Sequence, residues 1–245
     1  MKCKKHDLSY TYVCPECLKP YLKGSIFLNL EEIRQYQKSN SLKVKTIDAK
    51  KTINIICALK IKYIENIAFA GSLLYDINHQ SVTNCKIMKF HQPFPYFSTV
   101  LFLRDLEIYL KLAQELIDEP DCYILNASGQ LHPFFFGTAS NFGIKLKSEV
   151  PVIGITKKPL IKDIQVKNLK KIDDGKIIGD VILIDKTIGK YLTSEDSKKG
   201  TYISVGNNIS LDSALKIVLK IHKFRVPEPV RLLGIELKKF IGDIR

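Results

Sequence analysis

The order of strand-like and helix-like segments in the middle of the chain restricts its fold more than any other feature. Apolar runs typical of strands occupy residues 52–62, 66–75 and 82–90, and the turn-forming residues 76–78 separate the second run from the third. We therefore predict three consecutive antiparallel strands. A sheet that starts in this way needs helices or a second sheet to cover its apolar faces.

The next segments supply such helices. Apolar residues recur at steps of three and four over 100–118, as on a core-facing helix. A buried strand at 122–125, a helix after Pro133 and a strand at 150–155 follow. Further strands are predicted at 177–184 and 202–205, a helix capped by Ser210, and a final helix after Pro229 on the outside. The predicted fold class is α/β, with a mixed sheet flanked by helices.

The first 22 residues form a separate predicted unit with metal-ligand spacing. Cys3 and His6 are followed by Cys14 and Cys17, and two such pairs close a tetrahedral zinc site. Four protein ligands leave no open position for water, so Zn²⁺ would be structural; a fortuitous cysteine cluster is the alternative. We predict a zinc-ribbon-like module at 1–22, a connector with a short helix at 23–50, and the main domain at 51–245. The polar stretch at 38–51 is expected to be exposed and flexible.

Charge and composition limit the partners of this chain. Lysine and arginine number 38 against 25 acidic residues, which gives a net charge of +13 and a field that attracts polyanions. The alternative is that the excess of positive charge only keeps the protein soluble. We find no apolar run long enough for a membrane span and no secretory signal, so we expect a cytoplasmic protein with no membrane partner. Cys57, Cys85 and Cys122 lie in apolar segments and are expected to be buried.

Five segments in series resemble the endonuclease V family, whose order and spacing they follow over roughly residues 52–235. The first two correspond to the Pro-Tyr loop with its helix and to the Asp-Gly-x-Gly-x-x-His-Pro loop of that family. The third corresponds to Ile-Gly-Val-Ala-Lys-Lys, and the last two to the Gly-His-x-Ile-Ser-Leu and Arg-Leu-Pro-Glu-Pro runs. They lie at 95–105, 126–140, 153–158, 202–211 and 225–231.

The resemblance implies a ribonuclease-H-like fold and a metal-dependent endonuclease that cuts DNA or RNA near deaminated bases such as inosine. In that family acidic residues hold Mg²⁺, and here Asp105 keeps the helix position. Asn126 stands at the fourth-strand position, Cys57 at the first-strand position and Asn207 at the histidine position, while Lys157 survives. Because Mg²⁺ requires hard oxygen ligands, the substitutions predict weak Mg²⁺ binding and little or no cleavage.

The features that the resemblance assigns to nucleic-acid binding are better preserved. Tyr96 stands where the family has an aromatic wedge beside the extruded base, although it fits a packed loop tyrosine equally well. Gly129 and His132 persist in the loop that resembles the base pocket, and His132 is as readily interpreted as a structural residue. Lys157 and Lys158 are expected to contact phosphate.

Three hypotheses on function remain at this point. The one we favour is a catalytically impaired relative that still binds nucleic acid. The second is an active nuclease that combines Asp105 with ligands such as Asp76 or Asp121. The third is a scaffold that binds a protein partner through the zinc module and the run of three phenylalanines at 134–136, provided that this run is exposed.

Overall fold

The computed structural model describes residues 1–172, 174–194 and 197–244, and its centre is one large mixed sheet. Within these residues the sheet has nine strands in the order β3-β2-β1-β4-β5-β9-β8-β7-β6. The strands are β1 (Ile55–Ile64), β2 (Ile67–Asp76), β3 (Ser81–His91), β4 (Cys122–Leu125), β5 (Val152–Thr156), β6 (Gln165–Lys171), β7 (Ile177–Leu183), β8 (Lys186–Ser194) and β9 (Ser197–Asn207).

The pairing confirms the predicted mixed sheet. β1, β2 and β3 form an antiparallel meander, β4 pairs parallel to β1, and β5 pairs parallel to β4. β9 returns antiparallel to β5, and β8, β7 and β6 continue outward from it. The carboxyl ends of β1, β4 and β5 therefore meet at one edge of the sheet, where loops gather residues from distant parts of the sequence.

Helices cover both faces of the sheet. The helices are α1 (Pro15–Leu18), a 3-10 turn (Lys19–Leu22), α2 (Leu30–Ser41), α3 (Phe102–Gln114), α4 (Thr138–Lys145), α5 (Leu211–Lys220) and α6 (Glu228–Asp243). α3 and α4 pack on one face, and α5 and α6 on the other. The last helix packs on the outside of the sheet, as predicted, and buries Leu233, Leu237 and Ile241 against β1 and β2.

The segment between the cysteine cluster and β1 contains more structure than its polar composition indicates. Its helix begins at Leu30, where the Asn29 side chain accepts a hydrogen bond from the Glu32 amide, and extends to Ser41. Ile33 and Gln37 of this helix are fully buried. The stretch from residue 38 that we expected to be exposed therefore begins inside a packed helix.

The first 22 residues pack against the main domain. Val13, Leu18 and Leu22 belong to the same buried apolar cluster as Phe102 of α3.

Two further expectations concern the three single cysteines and the membrane. Cys57 and Cys122 are buried as expected, whereas Cys85 is exposed because β3 is an edge strand with one open face. No helix among the described residues is long and apolar enough to cross a membrane.

Candidate nucleic-acid interface and metal centre

Four side chains of the N-terminal unit converge as metal ligands would. The Sγ atoms of Cys3 and Cys17 are 3.6 Å apart, and the His6 Nδ1 atom lies 3.4 Å from Cys17 Sγ and 3.7 Å from Cys14 Sγ. A tetrahedral zinc ion with Zn–S bonds of about 2.3 Å places its sulfurs about 3.8 Å apart. The four ligand atoms all lie within 4.8 Å of one another, so the donor set and its spacing fit one zinc ion.

The thiols of this cluster differ in acidity. Burial opposes ionisation of Cys3, but the backbone amides of His6 and Lys5 outweigh it and lower the pKa of Cys3 to about 6. In Cys17 burial and the neighbouring sulfurs of Cys3 and Cys14 act together and raise the pKa to about 11. A bound dication relieves the mutual repulsion of the sulfurs and favours the thiolate form of all three.

The one acidic residue retained at a family ligand position is already paired inside the protein. Asp105 lies in the first turn of α3 and is 5% exposed. Its Oδ1 atom accepts a 2.6 Å hydrogen bond from the Tyr63 hydroxyl and a 2.9 Å bond from Arg104 Nε, and the guanidinium lies 3.7 Å from the centre of the Tyr63 ring. Burial raises the pKa of Asp105, while Arg104 and Tyr63 oppose that shift.

The strand register corrects the placement of Cys57 beside Asn126. Cys57 pairs with Tyr123, three residues before Asn126, which separates the two side chains by roughly 10 Å at about 3.3 Å per residue. Leu59 pairs with Leu125 and its carbonyl accepts a 3.1 Å bond from the Asn126 amide, so the β1 residue beside Asn126 is Lys60. Ligands of one ion lie much closer together than Cys57 and Asn126, so these two cannot share a metal. The Asn126 side chain is exposed.

Both polar atoms of the Asn207 side chain, at the family histidine position, form hydrogen bonds with backbone groups. Its Oδ1 atom accepts from the Lys45 amide at 2.8 Å, and its Nδ2 atom donates to the Gly143 carbonyl at 3.0 Å. It pairs with Val152 at the start of β5, at the opposite end of that strand from the carboxyl edge. The side chain therefore holds α4 and the segment before β1 in place.

The aromatic loop between β3 and α3 exposes the ring of Tyr96 to solvent, whereas the rings of Phe94 and Phe97 are half-buried. Tyr96 is 59% exposed, and the Arg104 guanidinium lies 5.6 Å from its ring centre. Phe94 and Phe97 instead pack on Tyr21 of the N-terminal unit, at 5.8 and 5.7 Å between ring centres. The exposed ring is consistent with the wedge interpretation of Tyr96, and the N-terminal unit supports the base of its loop.

The same loop contains a conformation that the sequence does not reveal. Thr99 has a φ of 68°, in the left-handed region that β-branched residues avoid. Its carbonyl accepts hydrogen bonds from His132 Nε2 at 3.0 Å and from Gln37 Nε2 at 2.8 Å. These two bonds fix the strained residue. His132 is 2% exposed and bonds to the Thr99 backbone, which favours the structural interpretation of this residue, and its contact with nucleic acid stays a prediction.

Gly129 and the two lysines complete the predicted set. A Cβ atom on Gly129 would lie 2.0 Å from the Val205 carbonyl oxygen, so glycine is needed here for packing against β9. Lys157 and Lys158 are exposed just after β5, at the carboxyl edge. Sequence reasoning overlooked Tyr63, Gln37 and Lys60, because none of them belongs to a motif.

The cysteine cluster is the one convergence of three or more histidine, cysteine and acidic side chains in the described parts of the chain. Asp76 and Asp121, which we considered as additional ligands of the nuclease site, lie elsewhere. Asp76 accepts from Asn78 and His79 in the turn after β2. Asp121 precedes β4 and accepts from the Asn54 and Ile55 amides, at the edge opposite Asn126.

The nine-stranded mixed sheet with helices on both faces defines an α/β protein, with an exposed tyrosine and lysines at the carboxyl edge of its central strands. Residues 37–233 match the sequence profile described as Endonuclease V. The Endonuclease V of Dictyoglomus thermophilum is 33% identical over 218 residues, which cover 88% of this chain and 92% of that protein. The chain belongs to the endonuclease V family.

Solved structures of family members share the fold. The catalytic domain of human Endonuclease V superposes with a TM-score of 0.75 at 21% identity, covering 86% of this chain and 95% of that one. Endonuclease V of Bacillus subtilis gives a TM-score of 0.76 at 24% identity, covering 88% and 94%. That of Ciona intestinalis, solved in complex with DNA containing an inosine, gives 0.75 at 20% identity, covering 88% and 99%.

Proposed function

We propose that this chain is a nucleic-acid-binding member of the endonuclease V family in which metal-dependent cleavage is impaired. Its ligand would be a DNA or RNA strand, with a deaminated base such as inosine as the preferred feature. The Ciona intestinalis relative, solved with inosine-containing DNA, supports this class of ligand. The exposed Tyr96 and the lysines after β5 support binding by stacking and by phosphate contact.

The proposal that cleavage is impaired rests on the hydrogen bonds that Asp105 forms inside the protein. To bind a dication, this carboxylate would have to give up the hydrogen bonds from Tyr63 and Arg104, both of which hold it below the surface. Displacing Arg104 would also leave its guanidinium, 11% exposed, without a counter-charge. Separating a buried ion pair costs about 3–5 kcal/mol, which the metal would have to supply.

The neighbouring positions offer the ion little compensation. Asn126 provides a neutral amide, Lys60 lies beside it on β1, and no carboxylate occurs at 52–62. Mg²⁺ takes oxygen ligands in near-octahedral order and gives up its water reluctantly, so one paired carboxylate is a poor replacement for several free ones. The donor set at this edge therefore does not fit Mg²⁺.

The scaffold hypothesis has less support. Phe136 is fully buried, and Phe134 and Phe135 are half-buried, each with a lysine ammonium near its ring. These side chains do not form the exposed apolar surface that a protein partner would need.

The test combines cleavage with binding. A labelled strand containing one inosine, and the same strand with adenosine, are incubated with Mg²⁺ or Mn²⁺ and analysed by denaturing gel and by gel shift. We expect salt-dependent binding without metal-dependent cleavage. Robust cleavage by the wild-type chain that is lost in Asp105→Asn, and retained in Asp121→Asn, would contradict the proposal.

We further propose that Cys3, His6, Cys14 and Cys17 bind Zn²⁺ as a structural ion. The three thiols and one imidazole form a borderline-soft set with tetrahedral spacing, which suits zinc better than Mg²⁺. Elemental analysis of the purified chain should give one zinc per molecule, reduced in Cys14→Ser. Cys85→Ser is the matched control, since Cys85 is exposed on β3. An equal loss in both variants, or no zinc in the wild type, would contradict this assignment.

A further inference from the structure

Lys60 occupies the centre of the carboxyl edge. It follows Leu59, whose carbonyl accepts the Asn126 amide, so Lys60 on β1 lies beside Asn126 at the end of β4. Lys157 follows Thr156, the last residue of β5. Where β4 and β5 end, the three neighbouring parallel strands thus present a lysine, a neutral amide and a second lysine, without a carboxylate among them.

The Lys60 ammonium lacks an acidic partner although it is half-buried. It donates a long hydrogen bond of 3.4 Å to the Val230 carbonyl, and among the described residues no carboxylate forms an ion pair with it. Burial lowers its pKa, and the charges of Lys157, Lys238 and Lys62 lower it further. A desolvated cation among like charges is unfavourable by itself, and an anion at this edge would relieve it.

The packing of α6 leaves room for this ammonium. A Cβ atom on Gly234, within that helix, would lie 2.5 Å from Lys60 Nζ, so a side chain here would displace the lysine head. Glycine weakens a helix interior relative to alanine, and its presence at the point of closest approach fits a cation that needs the space. Gly242 of the same helix has nothing within 4 Å of the corresponding position.

We infer that Lys60, together with Lys157, binds a backbone phosphodiester of the bound strand directly, without a divalent cation. This inference rests on the proposed function and assigns a contact within the same interface. Tyr63 lies three residues beyond Lys60 on β1, and Arg104 stacks on Tyr63 and lies near Tyr96. Because successive side chains of a strand point to opposite faces of the sheet, the Lys60 ammonium lies on the α6 side and Tyr63 on the α3 side, so a nucleic-acid strand that contacts both must cross this end of the sheet.

A nucleic acid fits this edge better than an acidic peptide. The lysines stand beside an exposed aromatic ring, and a strand of nucleic acid presents both a phosphate chain and stackable bases. A peptide carboxylate would match the charge but would leave Tyr96 without a stacking partner. An acidic peptide that binds as tightly as the oligonucleotide, and competes with it, would overturn the assignment to phosphodiester.

The experiment measures fluorescence anisotropy of a labelled inosine-containing single strand over a series of NaCl concentrations, in buffer without added divalent cation. Lys60→Met removes the charge, and Gly234→Ala keeps every charge but displaces the ammonium. We expect roughly fivefold weaker binding in each, with a salt slope smaller by about 0.7, the value for one phosphate contact on a single strand. Lys147→Met and Gly242→Ala are the matched controls, since Lys147 is exposed before β5 at the opposite edge.

The possible outcomes separate this inference from the proposed function. If the wild type binds with a steep salt dependence but Lys60→Met and Gly234→Ala bind equally well, the Lys60 contact is refuted and the proposed function stands. If Lys147→Met weakens binding as much as Lys60→Met, a diffuse positive field explains the data and the inference is also refuted. If the wild type binds no oligonucleotide, the proposed function fails and the inference with it. Circular-dichroism melting checks that each variant is folded.

Discussion

The pH dependence of stability provides a sharp test of the structural role of His132. The Phe134 amide donates to His132 Nδ1 at 3.3 Å, so this atom must be an acceptor and the proton must be on Nε2, which donates to the Thr99 carbonyl at 3.0 Å. A second proton on Nδ1 would face the Phe134 N–H group. Burial therefore lowers the pKa of His132 to about 4, although the Thr99 carbonyl favours the protonated form.

The sign and size of the effect follow from linkage. Between the unfolded pKa of about 6.5 and the folded pKa of about 4, the unfolded chain takes up a proton that the folded ring refuses. Acidification in this window thus favours unfolding, and the stability present above the unfolded pKa is lost as the pH falls. At 1.36 kcal/mol per pKa unit, the loss from pH 7 to pH 4 is about 3 kcal/mol.

Urea unfolding at several pH values between 7 and 4 measures this loss. His132→Gln keeps a donor for Thr99 but does not titrate, so its free energy of unfolding should fall by about 3 kcal/mol less than that of the wild type. Carboxylates titrate in both proteins and cancel in the comparison. His91→Gln, at an exposed histidine, should follow the wild type. If the free energy of unfolding falls with pH by the same amount in the wild type and in His132→Gln, the claim that His132 is neutral in the folded protein is refuted.

Three further predictions concern the packing around the site, each measured by urea unfolding. Asp105→Asn should lower the free energy of unfolding by about 3–5 kcal/mol, because it leaves Arg104 buried without its counter-charge; Glu236→Gln, in an exposed pair, should cost less than about 1 kcal/mol. Leu112→Ala, at a fully buried position of α3, should cost about 2–5 kcal/mol, whereas Leu42→Ala at an 88% exposed position should stay within about 0.5 kcal/mol. Ser210→Ala should lower the free energy of unfolding by about 1 kcal/mol, because the Ser210 hydroxyl oxygen accepts a hydrogen bond from the Ser213 amide at the start of α5. The control is Ser39→Ala, at an exposed serine that caps no helix. A smaller loss of stability in Ser210→Ala than in Ser39→Ala would contradict the cap.

Local sequence signals predicted the parts of the fold in which they agree with the packing. β4 is the predicted strand at 122–125, since four consecutive apolar residues lie buried on both faces of the sheet. The capping serine and the apolar stripe of α5 also mark a helix that forms as expected. In these segments the side chains that favour the local conformation are the ones that the core requires.

Two segments, of which one was missed and the other was predicted only as a short helix, carry weaker patterns. β6 (Gln165–Lys171) is an edge strand whose side chains are mostly exposed, so it lacks the apolar alternation by which a strand is recognised. α2 buries Gln37 and Asn40, and these polar core residues conceal its inner face. Both segments are held by other parts of the chain: β6 pairs with β7, and Gln37 of α2 bonds to the carbonyls of Thr99 and Phe136.

The candidate site shows the same limit. A resemblance to the family identified Asp105, Asn126 and Lys157, but the state of Asp105 depends on Tyr63, which is 42 residues away in sequence. The first-strand position could not be fixed from a featureless apolar run, and the strand register places Lys60, not Cys57, beside Asn126. Side-chain pairing across strands is a tertiary property, which spacing along the chain does not encode.

The position of the N-terminal unit affects how metal dependence in this protein must be interpreted. Tyr21 packs on Phe94 and Phe97 at the base of the loop that presents Tyr96, and Leu18 and Leu22 join the core beneath it. If the four residues hold the proposed zinc ion, a chelator that removes it should disturb this loop as well. Inhibition by a chelator would therefore not identify a catalytic Mg²⁺ in this chain. Only inhibition that persists in Cys14→Ser, and that Mg²⁺ reverses without zinc, would point to a metal at the carboxyl edge.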